Sequence, residues 1–274
     1  MPQVELRDHR LHYVRLPHTT VVSAEEPPRR FVLAHGLFVG NLASWYLSCA
    51  HQLSAWGEVL MYDLRGHGKS QHTREGYSLS SLAGDLEALL AHLGWTEGPL
   101  HLIGHSYGGR VLLHWGRSRA NRVAQLTLVD APLTRSALPA LGLTQLTELV
   151  TDPMKLGALT DALPPPLQLA LKTEGRRARR ALEGWWRLLA ESSLPHALSG
   201  EAEVSATELN ELSGRLWAIY GERSPCRLSL ETLSEVVASE RIAIIPNAGH
   251  YLLNEAPDAV CRLLIMALQG GSGG

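Results

Sequence analysis

The chain has 274 residues, 45% of them hydrophobic and 19% charged, with a formal net charge of −2. This composition excludes a disordered or fibrous chain. The near-neutral charge excludes a basic protein built for nucleic acid or an anionic membrane surface. One domain, or one domain with a large insertion, is expected at this length.

The first strand-like run is LHYVRL (11–16), and no apolar signal core precedes it. FVLAHG (31–36) follows and opens a stretch, Val32 to Gly57, without Asp, Glu, Lys or Arg. His35, Asn41, Ser44, His51 and Gln52 interrupt it, so it is no membrane span. A surface so free of charge is expected to face a core or a pocket. Next come the strand-like EVLMYD (58–63) and a helical pattern over 79–94 that stops at Gly94. LHLIGHS (100–106) reads as a strand, YGGRVLLHWGRS (107–118) as a helix and QLTLVDA (125–131) as a strand. RLWAIYG (215–221) and RIAIIP (241–246) are further strands, and a helix over 257–269 begins at Pro257. Continuous apolar strands alternating with helices imply a mostly parallel central sheet covered on both faces, an α/β fold.

Residues 133–213 break the alternation. They are rich in Leu, Ala and Pro and read as helices, so we expect a helical cap over 133–213 inserted between core segments 1–132 and 214–269. Residues 270–274, GGSGG, read as a flexible linker. Cys49, Cys226 and Cys261 are odd in number, far apart and without CxxC pairing, which disfavours a disulfide framework or structural zinc and fits a reducing, cytoplasmic setting. The 13 histidines form no HExxH, so neither metal nor cofactor is expected.

The strongest chemical signal is Gly104-His105-Ser106-Tyr107-Gly108-Gly109, between an apolar strand and a helix. Gly-x-Ser-x-Gly in that setting is a nucleophile elbow: a strained turn exposes the serine hydroxyl and aims the next N–H, that of Tyr107, at a developing oxyanion. Asn247-Ala248-Gly249-His250 places a histidine just beyond a late strand, where a general base for Ser106 is needed. Ala34-His35-Gly36-Leu37-Phe38 supplies a second oxyanion donor, the Leu37 N–H, with Phe38 as the alternative. His35 is read as a structural loop residue. In Asp63-Leu64-Arg65-Gly66-His67-Gly68-Lys69-Ser70, the Gly-Lys-Ser invites a phosphate-loop reading, but that loop needs glycine where Asp63 stands. A turn knitted by Asp63 and Arg65 is the better account.

In this order the HG loop, the D-x-R-G-H-G-x-S turn, the G-H-S-Y-G-G elbow, the helical cap and the terminal G-H-Y-L-L-N-E-A-P-D resemble the α/β-hydrolase superfamily over residues 1–269. The resemblance implies a serine hydrolase that cleaves carboxylic esters or thioesters. Relatives extend to acyltransferases, epoxide hydrolases and dehalogenases; the last two typically place Asp where Ser106 stands. The chain departs from the pattern at the triad acid, which many relatives carry in a Gly-x-x-Asp turn. Here that turn is Gly221-Glu222-Arg223-Ser224, and a serine supplies no negative charge. Three readings stand: the acid is Asp130, at the end of QLTLVD, a place some relatives use; it is Glu222; or the chain is an inactive hydrolase serving as a binding protein. Asp130 is preferred, because its strand is expected beside that of Ser106. An acyltransferase or lyase using the same triad is the alternative chemistry.

Phe38, Trp45 and Trp186, with Leu141, Leu143, Leu146 and Trp185, are expected to line or roof an apolar acyl pocket. Arg176 and Arg177, in a basic run with Arg179 and Arg180, would dock an anionic substrate tail or an acidic carrier if they are more than a solvated helix face.

Overall fold

A computed structural model describes residues 2–20, 28–134 and 176–270, with only the backbone of 176–182. Among these residues eight strands are present: β1 Gln3–Glu5, β2 Arg10–Leu16, β3 Arg29–Ala34, β4 Gly57–Tyr62, β5 Leu100–His105, β6 Val123–Val129, β7 Leu216–Gly221 and β8 Ile242–Ile245. They form one sheet in the order β1-β2-β4-β3-β5-β6-β7-β8. The β1–β2 and β2–β4 pairs are antiparallel; all others are parallel. The expected α/β class therefore holds, and β1 is the strand that sequence reading missed.

The helices are α1 Leu42–Tyr46, α2 Ala50–Ser54, α3 Leu79–His92, α4 Tyr107–Arg117, α5 Arg176–Ala190, α6 Leu194–Gly200, α7 Ala206–Leu209, α8 Ser229–Ser234, α9 Leu252–Glu255 and α10 Pro257–Gly270. Local chemistry sets several ends. Asn41 caps α1 by accepting the Ala43 N–H, Ser78 caps α3 through the Ser81 N–H, and Gly94, at φ +69°, releases the chain after α3.

Strand alternation divides the core in two. Val32 and Ala34 of β3 join Leu60 and Tyr62 of β4 on one face, packed by α3 and α4 through Leu86, Leu89 and Leu112. Phe31, Leu33, Val59 and Met61 point to the other face and meet α1, α2 and α10. The uncharged stretch is thereby explained. It supplies the end of β3 and then α1 and α2, and Trp45, Cys49, Ala50 and Leu53 along it are fully buried. Trp45 is accordingly a core residue packed on β3 and β4, and the expectation that it lines the pocket does not hold.

Between β6 and β7 the described secondary-structure elements are helical: α5, α6, α7 and the 3₁₀ turn Asn210–Arg215. Leu141, Leu143 and Leu146 lie outside the described residues, as do residues 271–274 and the side chains of Arg176 and Arg177.

The order β4-β3-β5 puts a switch point at β3, because the chain leaves β3 toward one edge and later returns to its other side. Ligands of open α/β sheets meet the carboxyl ends of strands at such a point. The register levels these ends: Ala34 pairs with Gly104, His105 with Val129, Val129 with Ile219 and Gly221 with Ile245.

Candidate active site

Four non-glycine residues among those described have positive φ: Phe38 (61°), Ser106 (53°), Asp130 (51°) and Asn247 (59°). They lie in the loops just after β3, β5, β6 and β8. Left-handed backbone is costly for residues with a Cβ and persists where the surroundings hold it. Here it gathers along the carboxyl edge of the sheet.

Ser106 leaves β5 and heads α4. Its N–H donates to Val129 O (2.9 Å), which ties the elbow to β6. The glycines around it are needed for close approach. A Cβ on Gly104 would stand 2.4 Å from Gly109 Cα, and one on Gly108 would stand 2.4 Å from His35 O. A Cβ on Gly36 would meet Ser106 Cβ at 2.9 Å. The HG loop thus lies directly against the serine.

His250 Nε2 is 2.9 Å from Ser106 Oγ, and His250 Nδ1 is 2.6 Å from Asp130 Oδ2. A carboxylate only accepts, so Nδ1 carries the proton and Nε2 is left to accept from Ser106. Asp130 is fully buried. Its Oδ1 accepts the Gly221 N–H (2.9 Å), and its Oδ2 also accepts the hydroxyl of Ser224. Of the two carboxylates weighed from sequence, Asp130 is therefore the one brought to His250. Glu222 is exposed and accepts the Asn247 N–H (2.7 Å) instead.

The loop carrying His250 is braced from both sides. Glu255 accepts the N–H of Gly249 (2.5 Å) and of Tyr251 (3.1 Å). His105 Nε2 donates to the His250 carbonyl (2.9 Å). Burial and the neighbouring His250 ring hold the His105 pKa down at about 3, so His105 is a neutral brace.

The proposed oxyanion loop has its own brace. The Phe38 N–H donates to His67 Nε2 (3.0 Å), and His67 Nδ1–H donates to Arg65 O (2.9 Å). In return, His35 Nε2 accepts the Leu64 N–H (2.9 Å) while its Nδ1–H donates to Gly36 O (2.7 Å). Each loop thus lends the other a neutral imidazole. Burial keeps both uncharged, with His67 at about 3 and His35 shifted in the same direction. The Phe38 N–H is committed to this brace, which leaves Leu37 as the better oxyanion donor of the two. Asp63 fixes the turn from below: it accepts the N–H of Leu42 and of Lys69 (both 2.8 Å) and meets His12 Nδ1 at 2.6 Å.

The model of the alpha/beta hydrolase family matches residues 31–263, most of the chain, including Ser106, Asp130 and His250. The chain belongs to that family. Among relatives of this α/β hydrolase, the non-heme haloperoxidase of Rhodococcus erythropolis is 25% identical over 217 residues, 74% of this chain and 78% of that protein. The dihydrolipoyllysine-residue acetyltransferase component of the acetoin cleaving system of Pseudomonas putida is 39% identical over 98 residues, 36% of this chain. The match spans only a quarter (25%) of that component's length. A thermophilic esterase from Thermogutta terrifontis superposes with a TM-score of 0.72 at 18% identity, over 99% of both chains, a likeness of fold.

The remaining pocket candidates separate. Leu37 and Phe38 pack against Tyr77, Leu188 and Leu194, so α5 and α6 lie over the HG loop. Leu37 also touches the cluster of Leu82, Tyr107 and Val111. Trp185 is buried, whereas Trp186 is 44% exposed. Trp186 lines a surface cleft of about 540 Å³ with His72, Glu183, Arg187 and Glu191, and no residue of the Ser106 group lines that cleft. Sequence reading gave Ser224 and Glu255 no part in the site. The Ser-Pro at 224–225 and the Asn-Glu after His250 were the available signals. Among the described residues no helix is long and apolar enough to cross a membrane.

Proposed function

We propose that this α/β hydrolase cleaves carboxylic ester or thioester bonds through an acyl-enzyme on Ser106. The observation that carries the reading is His250 bonded at once to Ser106 Oγ (2.9 Å) and Asp130 Oδ2 (2.6 Å). Ser106 Oγ attacks the carbonyl carbon as its proton passes to His250 Nε2. The imidazolium so formed is stabilised through Nδ1–H by the Asp130 carboxylate. The N–H groups of Leu37 and Tyr107 receive the oxyanion, beside the positive end of α4. The tetrahedral adduct collapses, His250 returns the proton to the leaving alcohol or thiol, and the acyl group stays on Ser106. Water, deprotonated by the same nitrogen, then clears it.

One feature supports an apolar acyl pocket: Leu37 and Phe38 lie under Leu188 of α5 and Leu194 of α6, in the segment between β6 and β7 that the sequence leads us to expect as a cap. Transfer of the acyl group to an acceptor other than water is the second reading. It is favoured by the match to an acetyltransferase component and needs no change in the first half-reaction. A non-catalytic binding protein would have no use for a carboxylate held on Nδ1. No step calls for a cofactor.

A panel of p-nitrophenyl esters and acyl thioesters graded by acyl length tests the proposal, with products analysed in the presence and absence of added alcohols and thiols. Turnover that disappears in Ser106→Ala is expected. Turnover that survives in Ser106→Ala would remove the reading.

A further inference from the structure

Cys226 is a fully buried thiol in the turn after β7, and its role is not accounted for by the reaction above. Its Sγ lies 3.5 Å from His250 Nδ1. Nδ1 lies 2.6 Å from Asp130 Oδ2. One donor atom each from Asp130, Cys226 and His250 falls within 4.8 Å of the others, although the residues are scattered over 120 positions of sequence. No sequence spacing reveals this set, because the turns after β6 and β7 and the loop after β8 bring it together.

We propose that Asp130, Cys226 and His250 form an inhibitory site for a thiophilic divalent cation such as Zn²⁺, on the side of the imidazole away from Ser106. A sulfur, a nitrogen and an oxygen donor suit Zn²⁺ and not Mg²⁺ or Ca²⁺. With Zn–S near 2.3 Å and Zn–N near 2.0 Å, a tetrahedral centre separates sulfur from nitrogen by about 3.5 Å. That is the spacing already present. The nitrogen and the oxygen must part from 2.6 Å to about 3.3 Å as the cation replaces the proton between them.

Binding removes the base. The cation takes the Nδ1 lone pair, so the single ring proton moves to Nε2, and the thiol releases its proton to solvent as the thiolate binds. An imidazole protonated on Nε2 cannot accept from Ser106. In the metal-free protein, burial and the adjacent Asp130 carboxylate push the Cys226 pKa well up, so the thiol stays protonated and leaves the triad undisturbed.

The proposal rests on Ser106 and His250 being catalytic, and the test separates the two claims. Ester hydrolysis is measured against Zn²⁺ and Mg²⁺ in the wild type, Cys226→Ala and Cys226→Ser, each normalised to its own metal-free rate. In parallel, Co²⁺ is added and the thiolate-to-cobalt charge-transfer absorption is recorded. Expected are Zn²⁺ inhibition reversed by a chelator, no response to Mg²⁺, and at least a tenfold rise in the inhibitory Zn²⁺ concentration in both variants. The cobalt–thiolate band is expected in the wild type and absent from Cys226→Ala, which keeps Cys49 and Cys261. Equal Zn²⁺ sensitivity in all three proteins, or a cobalt band that persists without Cys226, would overturn the site. A Cys226-dependent band in a protein without esterase activity would uphold the site and refute the catalytic reading.

Discussion

Ser224 donates its hydroxyl to Asp130 Oδ2, the oxygen that also receives His250 Nδ1–H. A serine therefore stands where many relatives of this fold carry the acid, and it holds Asp130, the acid of the proposed triad, at the end of the neighbouring strand. The two positions face each other because β6 and β7 pair in parallel register, with Val129 opposite Ile219. Ser224 then reaches back across the end of β7.

This geometry predicts a graded loss. Asp130→Asn should lower kcat on the order of 10⁴-fold, the cost of losing the carboxylate partner in a serine protease. Ser224→Ala removes one hydrogen bond to a charged group, about 1.5–3 kcal/mol, and should cost roughly ten- to a hundredfold. Glu222→Gln should change kcat little. Steady-state kinetics on one ester orders the three, and a crippled Glu222→Gln beside a mild Asp130→Asn would reverse the assignment of the acid.

The same relationship predicts a rescue. Asp130→Ser combined with Ser224→Asp exchanges the carboxylate and the hydroxyl across the β6–β7 gap. The double variant should recover at least tenfold in kcat over Asp130→Ser alone. No recovery, in a protein whose circular dichroism is unchanged, would mean that the carboxylate is fixed by more than its reach to Nδ1.

Gly36→Ala should abolish turnover with little loss of fold, since the new Cβ presses on Ser106 Cβ (2.9 Å) and Oγ (3.3 Å). Gly108→Ala drives a Cβ to 2.4 Å from the His35 carbonyl, where only backbone movement makes room. It should lower stability as well as activity. Thermal melting beside kinetics separates the two effects.

The buried neutral histidines predict an acid-sensitive fold. His67 and His105 are held at about 3, against 6.5 when exposed to water. Below 6.5 the unfolded chain binds protons that the folded chain refuses, so stability falls as pH drops toward 3. Each contributes up to about 1.4 kcal/mol per pH unit in that window. Denaturant unfolding between pH 7 and 4.5 should show this slope, reduced in His67→Gln and in His105→Gln. An unchanged slope in both would mean that neither ring is held neutral.

Local patterns made most of this molecule legible from its sequence. The apolar runs that became β3 to β7 are buried on both faces, and the elbow announced itself through glycines at which an added Cβ would stand only 2.4 Å from neighbouring backbone. The hidden parts are those that need two distant segments at once. Trp45 was attractive as a pocket residue because it lies near the HG loop, yet α1 turns it into the core beneath β3 and β4. Ser224 looked like a defect until Asp130 was opposite it. Cys226 carries no signal in isolation, because it meets His250 only where the turn after β7 and the loop after β8 come together.

The reaction of the protein with a fluorophosphonate, followed by intact mass and peptide mapping, tests the central claim most directly. The account predicts a single adduct on Ser106, formed quickly in the wild type, slowed by orders of magnitude in His250→Ala and missing in Ser106→Ala. A wild type that stays unlabelled, or one labelled at the same rate without His250, would contradict it.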